Sequence, residues 1–179
     1  MKTLLLLRHG KSSWDDPEVA DFDRPLSKRG RKAARAMGQV LADRQLAPDL
    51  VLCSESLRTQ ETWEIASREI TSRAVSGPPP VRLLRALYLA SPAQILKAVG
   101  QAPDSVGTLL AVGHNPGFED LARRLAGPGS NPEAVRLLGQ KFPTGALAIL
   151  VSEVETWAAL TPANTRLIAF LRPREVLAD

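Results

Sequence analysis

Two apolar stretches that each lead into a glycine-flanked histidine constrain this sequence more than any other feature. Residues 4–7 are followed by Arg8-His9-Gly10, and residues 108–112 are followed by Gly113-His114. Short apolar runs of this kind are typical of strands buried on both faces of a parallel sheet. Such sheets bind ligands beyond the carboxyl ends of their strands. Because the chain has only two histidines, we expect both at one site on this edge of the sheet.

The rest of the chain alternates between predicted strands and helices. Segment 129–143 is ambiguous, and one interpretation is a short helix over Val135, Leu137 and Leu138. The order of elements predicts an α/β fold, a three-layer α/β/α sandwich with a mostly parallel central sheet, in a single domain over residues 1–179. Its last two strands are expected to form an antiparallel pair at the sheet edge. The predicted strands are 4–7, 50–53, 81–84, 107–112, 145–151 and 165–171, and the predicted helices are 28–44, 57–71, 91–100 and 116–125.

Composition limits the partners and the compartment. Lysine and arginine outnumber aspartate and glutamate by 23 to 19, which suits an anionic substrate. Neither an RNA-type aromatic motif nor zinc-finger spacing is present, so we favour a small anionic group over nucleic acid. No apolar run approaches the ~20 residues that span a membrane, and we expect no membrane association. The single cysteine, Cys53, predicts a reducing, cytoplasmic location and inert core packing.

Four short blocks carry the chemistry, and they occur between residues 4 and 117. They are Arg8-His9-Gly10, Leu26-Ser27-Lys28-Arg29-Gly30, the segment 54–62 with its Ser54, Arg58 and Thr62, and Val112-Gly113-His114-Asn115. Together and in this order they resemble the signature of the histidine phosphatase superfamily, the group that includes the phosphoglycerate mutases. The resemblance implies a phosphoglycerate mutase-like fold and phosphoryl transfer through a phosphohistidine intermediate.

The residue types in these blocks suit a phosphoryl group, which carries about 2 negative charges near neutral pH. Arginine forks match its oxygens, so Arg8 and Arg58 are predicted to clamp it. By resemblance His9 is the nucleophile, and His114, if protonated, stabilises charge on the phosphoryl oxygens. No metal-ligand spacing is present, and we expect neither a metal nor another cofactor.

Further polar residues near these blocks are candidates for binding substrate. Arg24 immediately precedes Pro25-Leu26-Ser27, where the resemblance implies a third phosphate ligand. Lys11 and Ser12 follow the first histidine block and are predicted at the rim. Asn115 is predicted to hold His114 or the loop beside it.

The presence or absence of a catalytic proton donor distinguishes the possible classes of substrate. Larger members of the superfamily carry a catalytic acid after the third strand, but this chain has no aspartate or glutamate between Glu69 and Asp104. An alkoxide leaving group needs a proton, whereas the imidazole of phosphohistidine leaves more easily. The chain resembles the short phosphohistidine phosphatases of the SixA type in three respects. It lacks the acid at this position, it is small, and it has no lid insertion. Asp21 is the candidate substitute acid, and Tyr88 is a candidate for the substrate mouth.

The leading hypothesis is therefore a metal-independent phosphatase that dephosphorylates phosphohistidine in a protein. Two alternatives stay open, namely a phosphatase of a small sugar or nucleotide-derived phosphate ester and a non-catalytic phosphoprotein-binding module. The oligomeric state is not predicted. A basic cluster at the start of the first helix is interpreted as a solvated face, with docking of an acidic protein as the alternative. Its members are Lys28, Arg29, Arg31, Lys32 and Arg35.

Overall fold

A computed structural model describes residues 1–178, and its centre is one six-stranded sheet. The strands are β1 (Lys2–Arg8), β2 (Leu50–Ser54), β3 (Val81–Leu84), β4 (Thr108–Gly113), β5 (Leu147–Ser152) and β6 (Thr165–Leu171). Their order is β3-β2-β4-β1-β5-β6. The first four run parallel, and β5 is antiparallel to both β1 and β6. The mostly parallel sheet and its antiparallel edge pair are confirmed.

Helices cover both faces of this sheet. They are α1 (Lys28–Asp43), α2 (Leu57–Thr71), α3 (Pro92–Gly100), α4 (Gly117–Leu125), α5 (Pro132–Gln140) and α6 (Pro173–Val176). Successive strand residues point to opposite faces, so Leu5 and Leu7 of β1 pack with α1 and α2. Leu4 and Leu6 pack on the other face with α3, α4 and α5. The predicted α/β/α sandwich is therefore present, and the ambiguous segment contains α5.

Gly145 shows where an apolar pattern misplaces a strand start. The sequence predicts β5 from residue 145, but the strand begins at Leu147. Gly145 has a φ of +77°, a left-handed conformation that glycine adopts without steric cost. Its N–H donates to the carbonyl of His9 at 2.8 Å. The turn before β5 therefore fixes the backbone at the end of β1.

Two glycines of the sequence blocks let α1 approach the segment after β1. A Cβ atom on Gly10 would lie 2.6 Å from the carbonyl oxygen of Gly30, and one on Gly30 would be closer still to the carbonyl of Lys11. Ser27 caps the same helix, because its hydroxyl accepts from the N–H of Gly30 at 3.1 Å. This contact fixes the loop that carries His9.

Candidate active site

The carboxyl ends of β1 and β4 open into a polar cleft of about 280 Å³. Eight of the nine predicted site residues line it, and Asp21 stands beside it. Trp14, Leu89 and Thr144 complete the wall. The predicted residues in the wall are Arg8, His9, Lys11, Ser12, Arg24, Arg58, His114 and Asn115.

His9 presents an unprotonated imidazole nitrogen in this cleft. Its Nδ1 lies 2.7 Å from the carbonyl of Gly10, and because a carbonyl only accepts, Nδ1 carries the proton. The Nε2 lone pair therefore accepts from Nε of Arg58 at 3.3 Å. Burial, aided by the positive charge of Arg58, lowers the pKa of His9 to about 4. His9 is neutral at neutral pH, as a nucleophile must be.

His114 faces His9, with the ring centroids 5.2 Å apart. Its Nε2 lies 2.8 Å from the hydroxyl of Ser54, and its Nδ1 lies 3.5 Å from a guanidinium nitrogen of Arg58. Arginine only donates, so Nδ1 accepts and Nε2 carries the proton that Ser54 accepts. Burial, followed by the proximity of His9 and Arg58, lowers the pKa of His114 to about 3. His114 is therefore neutral at neutral pH in the unliganded cleft.

Ser54 is a site residue to which the sequence analysis assigned no role. It is the last residue of β2, which pairs with β4, the strand that precedes His114. Its side chain is fully buried. The signal was present, because adjacent parallel strands bring their carboxyl ends to the same edge of the sheet.

Three guanidinium groups converge on the cleft. Arg58 and Arg24 are only 3% and 7% exposed, so their charges are held away from bulk water. Arg8 donates from Nη1 to the carbonyl of Phe142 at 2.8 Å. Its Nε is a buried donor that finds no acceptor within residues 1–178. Unpaired buried donors are costly, so this N–H is available to a phosphoryl oxygen.

The Asp21 carboxylate binds two of these arginines, Arg24 and Arg58. Its Oδ1 accepts from Nε and Nη2 of Arg24, both at 3.2 Å, and its Oδ2 accepts from Nη2 of Arg58 at 3.1 Å. Oδ2 also accepts from the hydroxyl of Tyr88. The Tyr88 hydrogen bond, followed by those from Arg58, lowers the pKa of Asp21 to about 2. An ionised carboxylate of this kind favours a positioning role over the predicted role of acid, which stays a prediction.

The mouth of the cleft is partly aromatic. Trp14 is 73% exposed, and the guanidinium of Arg24 lies 3.4 Å from its ring centroid. Such stacking restrains an arginine without neutralising it. Tyr88 packs edge-on against His114, with 5.3 Å between centroids, and the next residue, Leu89, lines the cleft.

Asn115 holds the loop beside His114, one of its two predicted roles. Its Nδ2 donates to the carbonyl of Phe142 at 3.0 Å, the same oxygen that accepts from Arg8. Its Oδ1 accepts from the N–H of Glu119 at 3.2 Å. The side chain therefore ties the start of α4 to the segment before β5.

Comparison with known proteins assigns the family. The family model of the histidine phosphatase superfamily (branch 1) matches residues 4–77. An uncharacterized protein from Mycobacterium leprae is 34% identical over 171 residues, which cover 94% of this chain and the whole of that relative. The chain belongs to the histidine phosphatase superfamily. The resemblance carried by the four blocks is confirmed.

Solved structures of the superfamily share this fold. A protein from Nakamurella multipartitia, provisionally assigned as the phosphohistidine phosphatase SixA, is 31% identical, with a TM-score of 0.80 and 96% of each chain covered. A mycobacterial glucosyl-3-phosphoglycerate phosphatase, 18% identical, has a TM-score of 0.63 over 94% of this chain and 98% of its own. The second likeness shows the fold alone.

Two further features concern metals and membranes. Within residues 1–178, no three histidine, cysteine, aspartate or glutamate side chains are grouped so that they could hold a metal ion. None of the helices in the same range is long and apolar enough to cross a membrane.

Cys53 lies fully buried in the core between the sheet and α2. Burial raises the pKa of its thiol to about 12.

Proposed function

We propose that this protein is a metal-independent phosphatase that removes phosphate from phosphohistidine in a protein, through a phosphohistidine intermediate on His9. One observation carries the proposal. A neutral imidazole with an unprotonated Nε2 lies among three arginines, in a cleft whose wall contains no carboxylate within residues 1–178. The cleft thus has a nucleophile and an anion clamp without a general acid.

Binding begins with the charge of the substrate. The phosphoryl dianion enters between Arg8, Arg24 and Arg58, whose donors match its oxygens. In the unliganded cleft, Nε of Arg58 donates to Nε2 of His9. Once Arg58 donates to a phosphoryl oxygen, this lone pair is free to attack. Substrate binding therefore exposes the nucleophile at the moment when the phosphorus atom is in place.

Transfer then forms one P–N bond and breaks another. Nε2 of His9 attacks phosphorus, and the bond to the substrate imidazole breaks. Because an imidazole is protonated with a pKa of only about 6.5, it leaves as a neutral ring when its other nitrogen carries a proton. An alkoxide is far more basic and would require an acid in the cleft. The absence of a lining carboxylate therefore favours a phosphoramidate over an ester.

Hydrolysis of the intermediate returns the enzyme to its first state. Water attacks the phosphoryl group on His9, the P–Nε2 bond breaks, and inorganic phosphate leaves. Negative charge on the equatorial oxygens stabilises a proton on His114, whose Nε2–H is anchored by Ser54. The second histidine therefore contributes positive charge when the anion is present.

A paired assay without added metal tests the proposal. One arm follows phosphate release from a synthetic phosphohistidine peptide, and the other uses p-nitrophenyl phosphate and sugar phosphates. We expect rapid cleavage of the peptide, weak ester turnover and no activity of His9→Asn in either arm. Asp23→Asn, a change in an exposed residue, is the control that should remain active. Absence of turnover in both arms would favour a phosphoprotein-binding module instead.

Hydrolysis of a small phosphate ester is the second candidate, and Tyr88 is the observation that favours it. Its phenol donates to Asp21 and packs against His114, so a proton donor stands next to the cleft. Burial and then the Asp21 carboxylate raise the pKa of Tyr88, which keeps that proton in place. Efficient ester turnover that Tyr88→Phe abolishes would support this candidate. The cytoplasmic location and the exclusion of nucleic acid stay predictions.

A further inference from the structure

A second cavity of about 190 Å³ adjoins the catalytic cleft, and we call it the adjoining groove. Lys11 and Thr144 line both, so the two are continuous. Its floor is apolar and includes Ala33 and Leu177, and α6 packs against α1 there. Four cations surround this floor, namely Lys11, Arg29, Arg172 and Arg174.

The charge of the adjoining groove is largely uncompensated. Arg172 pairs with Glu175, but Lys11, Arg29 and Arg174 form no ion pair within residues 1–178. Across the part of the chain that the structure describes, the lining contains no carboxylate. The three unpaired side chains are exposed, so a ligand reaches them without rearrangement of the fold.

Arg29 also connects this groove to the basic cluster on α1. A wider depression on the outer faces of α1 and α2 contains Arg29, and its wall among the described residues is again free of carboxylates. The other cations in that depression are Lys28, Arg31, Lys32, Arg35 and Arg68. Arg35 pairs with Glu69 and Arg68 pairs with Glu64. The remaining cations of this depression form no ion pair within residues 1–178. Unpaired positive charge therefore continues outward from the adjoining groove over the first turns of α1.

This arrangement opposes the local needs of the helix. The start of a helix is the positive end of its dipole and favours acidic residues. The first turn of α1 contains no acidic residue and instead begins Lys28-Arg29-Gly30-Arg31. Sequences depart from such local preferences most often at functional sites. Neither Arg29 nor Arg174 lines the catalytic cleft, so phosphate binding there does not account for them.

We propose that the adjoining groove and the start of α1 form a docking surface for an acidic stretch of the phosphorylated protein substrate. Its aspartate and glutamate side chains bind Arg29, Arg174 and the cations of α1, while the phosphohistidine enters the cleft beside Lys11. An apolar residue of that stretch covers Leu177. The inference rests on the proposed function, and it names the class of protein that the site accepts.

Phosphohistidine peptides of equal length test this proposal. One has aspartate and glutamate on both sides of the phosphohistidine, the other has serine and glutamine, and free phosphohistidine is the reference. We expect about tenfold higher kcat/KM for the acidic peptide, decreasing with salt because surface attraction is screened. The double variant Arg29→Glu with Arg174→Glu should remove this preference and leave free phosphohistidine unchanged. Glutamate at position 29 suits the helix dipole, so the variant should fold.

A charge-matched control separates docking from net charge. Arg82→Glu with Arg124→Glu changes the net charge by the same amount, in exposed residues of β3 and α4. It should retain the preference for the acidic peptide. Equal cleavage of both peptides, unaffected by Arg29→Glu with Arg174→Glu, would overturn the docking surface and leave the proposed function intact. Failure to cleave either peptide or free phosphohistidine would overturn both. Stronger inhibition by a single-stranded oligonucleotide than by an unphosphorylated acidic peptide would assign the surface to nucleic acid instead.

Discussion

Replacement of Asp21 by asparagine distinguishes a positioning residue from a general acid. The carboxylate bridges Arg24 and Arg58 through hydrogen bonds of 3.1 to 3.2 Å. Its pKa of about 2 keeps it ionised at neutral pH. Asparagine preserves the shape but removes the charge, so both guanidinium groups lose an ionic partner. We therefore expect Arg24 and Arg58 to bind the phosphoryl group less well, while the groups that donate protons in the reaction stay the same.

The expected loss follows from the exposure of the pairs. The Asp21 side chain is 46% exposed, and ion pairs open to solvent contribute about 0.2–1 kcal/mol each. Two such pairs amount to about 0.4–2 kcal/mol, and 1.36 kcal/mol corresponds to a factor of ten. We predict that Asp21→Asn lowers kcat/KM about 2- to 30-fold. The same factor should apply to substrates with good and with poor leaving groups.

The assay compares Asp21→Asn with wild type on a phosphohistidine peptide, p-nitrophenyl phosphate and phenyl phosphate. Asp23→Asn serves as the matched control, because Asp23 lies on the same turn and forms no ion pair within the described chain. It should behave as wild type. A loss that grows steeply from p-nitrophenyl phosphate to phenyl phosphate would refute the positioning role, since only a proton donor is sensitive to the basicity of the leaving group.

Three further predictions concern stability and the second histidine. Folding lowers the pKa values of His9 and His114 from 6.5 to about 4 and about 3, so the unfolded chain binds more protons than the folded chain below pH 6.5. The free energy of unfolding, measured in urea, should therefore decrease by about 2 kcal/mol per histidine between pH 7 and 4.5. A constant free energy of unfolding would contradict the lowered pKa values. Gly30→Ala places a Cβ atom against the backbone of Lys11 and should destabilise the fold by about 1–3 kcal/mol. Gly139→Ala, at an open helical position, should stabilise the fold by about 0.5–1 kcal/mol. Equal urea midpoints for the two variants would refute the close approach at Gly30. Ser54→Ala removes the hydroxyl that accepts from the His114 Nε2–H, and it should lower kcat/KM about fivefold for a hydrogen bond of about 1 kcal/mol. ¹⁵N NMR of this variant should show a changed ratio of the two His114 tautomers. An unchanged ratio would count against the assigned tautomer.

The sequence predicts the sheet and both histidines because continuous apolar runs and strand ends are local features. Residues 4–7 are such a run, which fits a strand buried on both faces, and its leucines enter the two cores alternately. His9 and His114 follow paired strands, and the register Arg8 to Gly113 brings them to the same edge. Parallel pairing of β1 with β4 was thus sufficient to place them together.

The loop between β1 and α1 lay beyond such reasoning. It has no apolar period, so the stacking of Trp14 on Arg24 could not be derived. Asp21 was predicted as a candidate acid, but its hydrogen bonds include one from Tyr88, which is 67 residues away in sequence. The adjoining groove likewise requires the C-terminal α6 to pack against α1. These features arise from contacts between distant segments that carry no local pattern.

The most direct test of the mechanism is detection of the covalent intermediate on His9. Wild-type protein is mixed with a ³²P-labelled phosphohistidine peptide and quenched in alkali within milliseconds, and the labelled residue is then identified by mass spectrometry. We predict a base-stable, acid-labile label on His9 that forms and decays at rates consistent with turnover, and none in His9→Asn. Turnover without such a label, or a label that persists in His9→Asn, would contradict the nucleophile assignment.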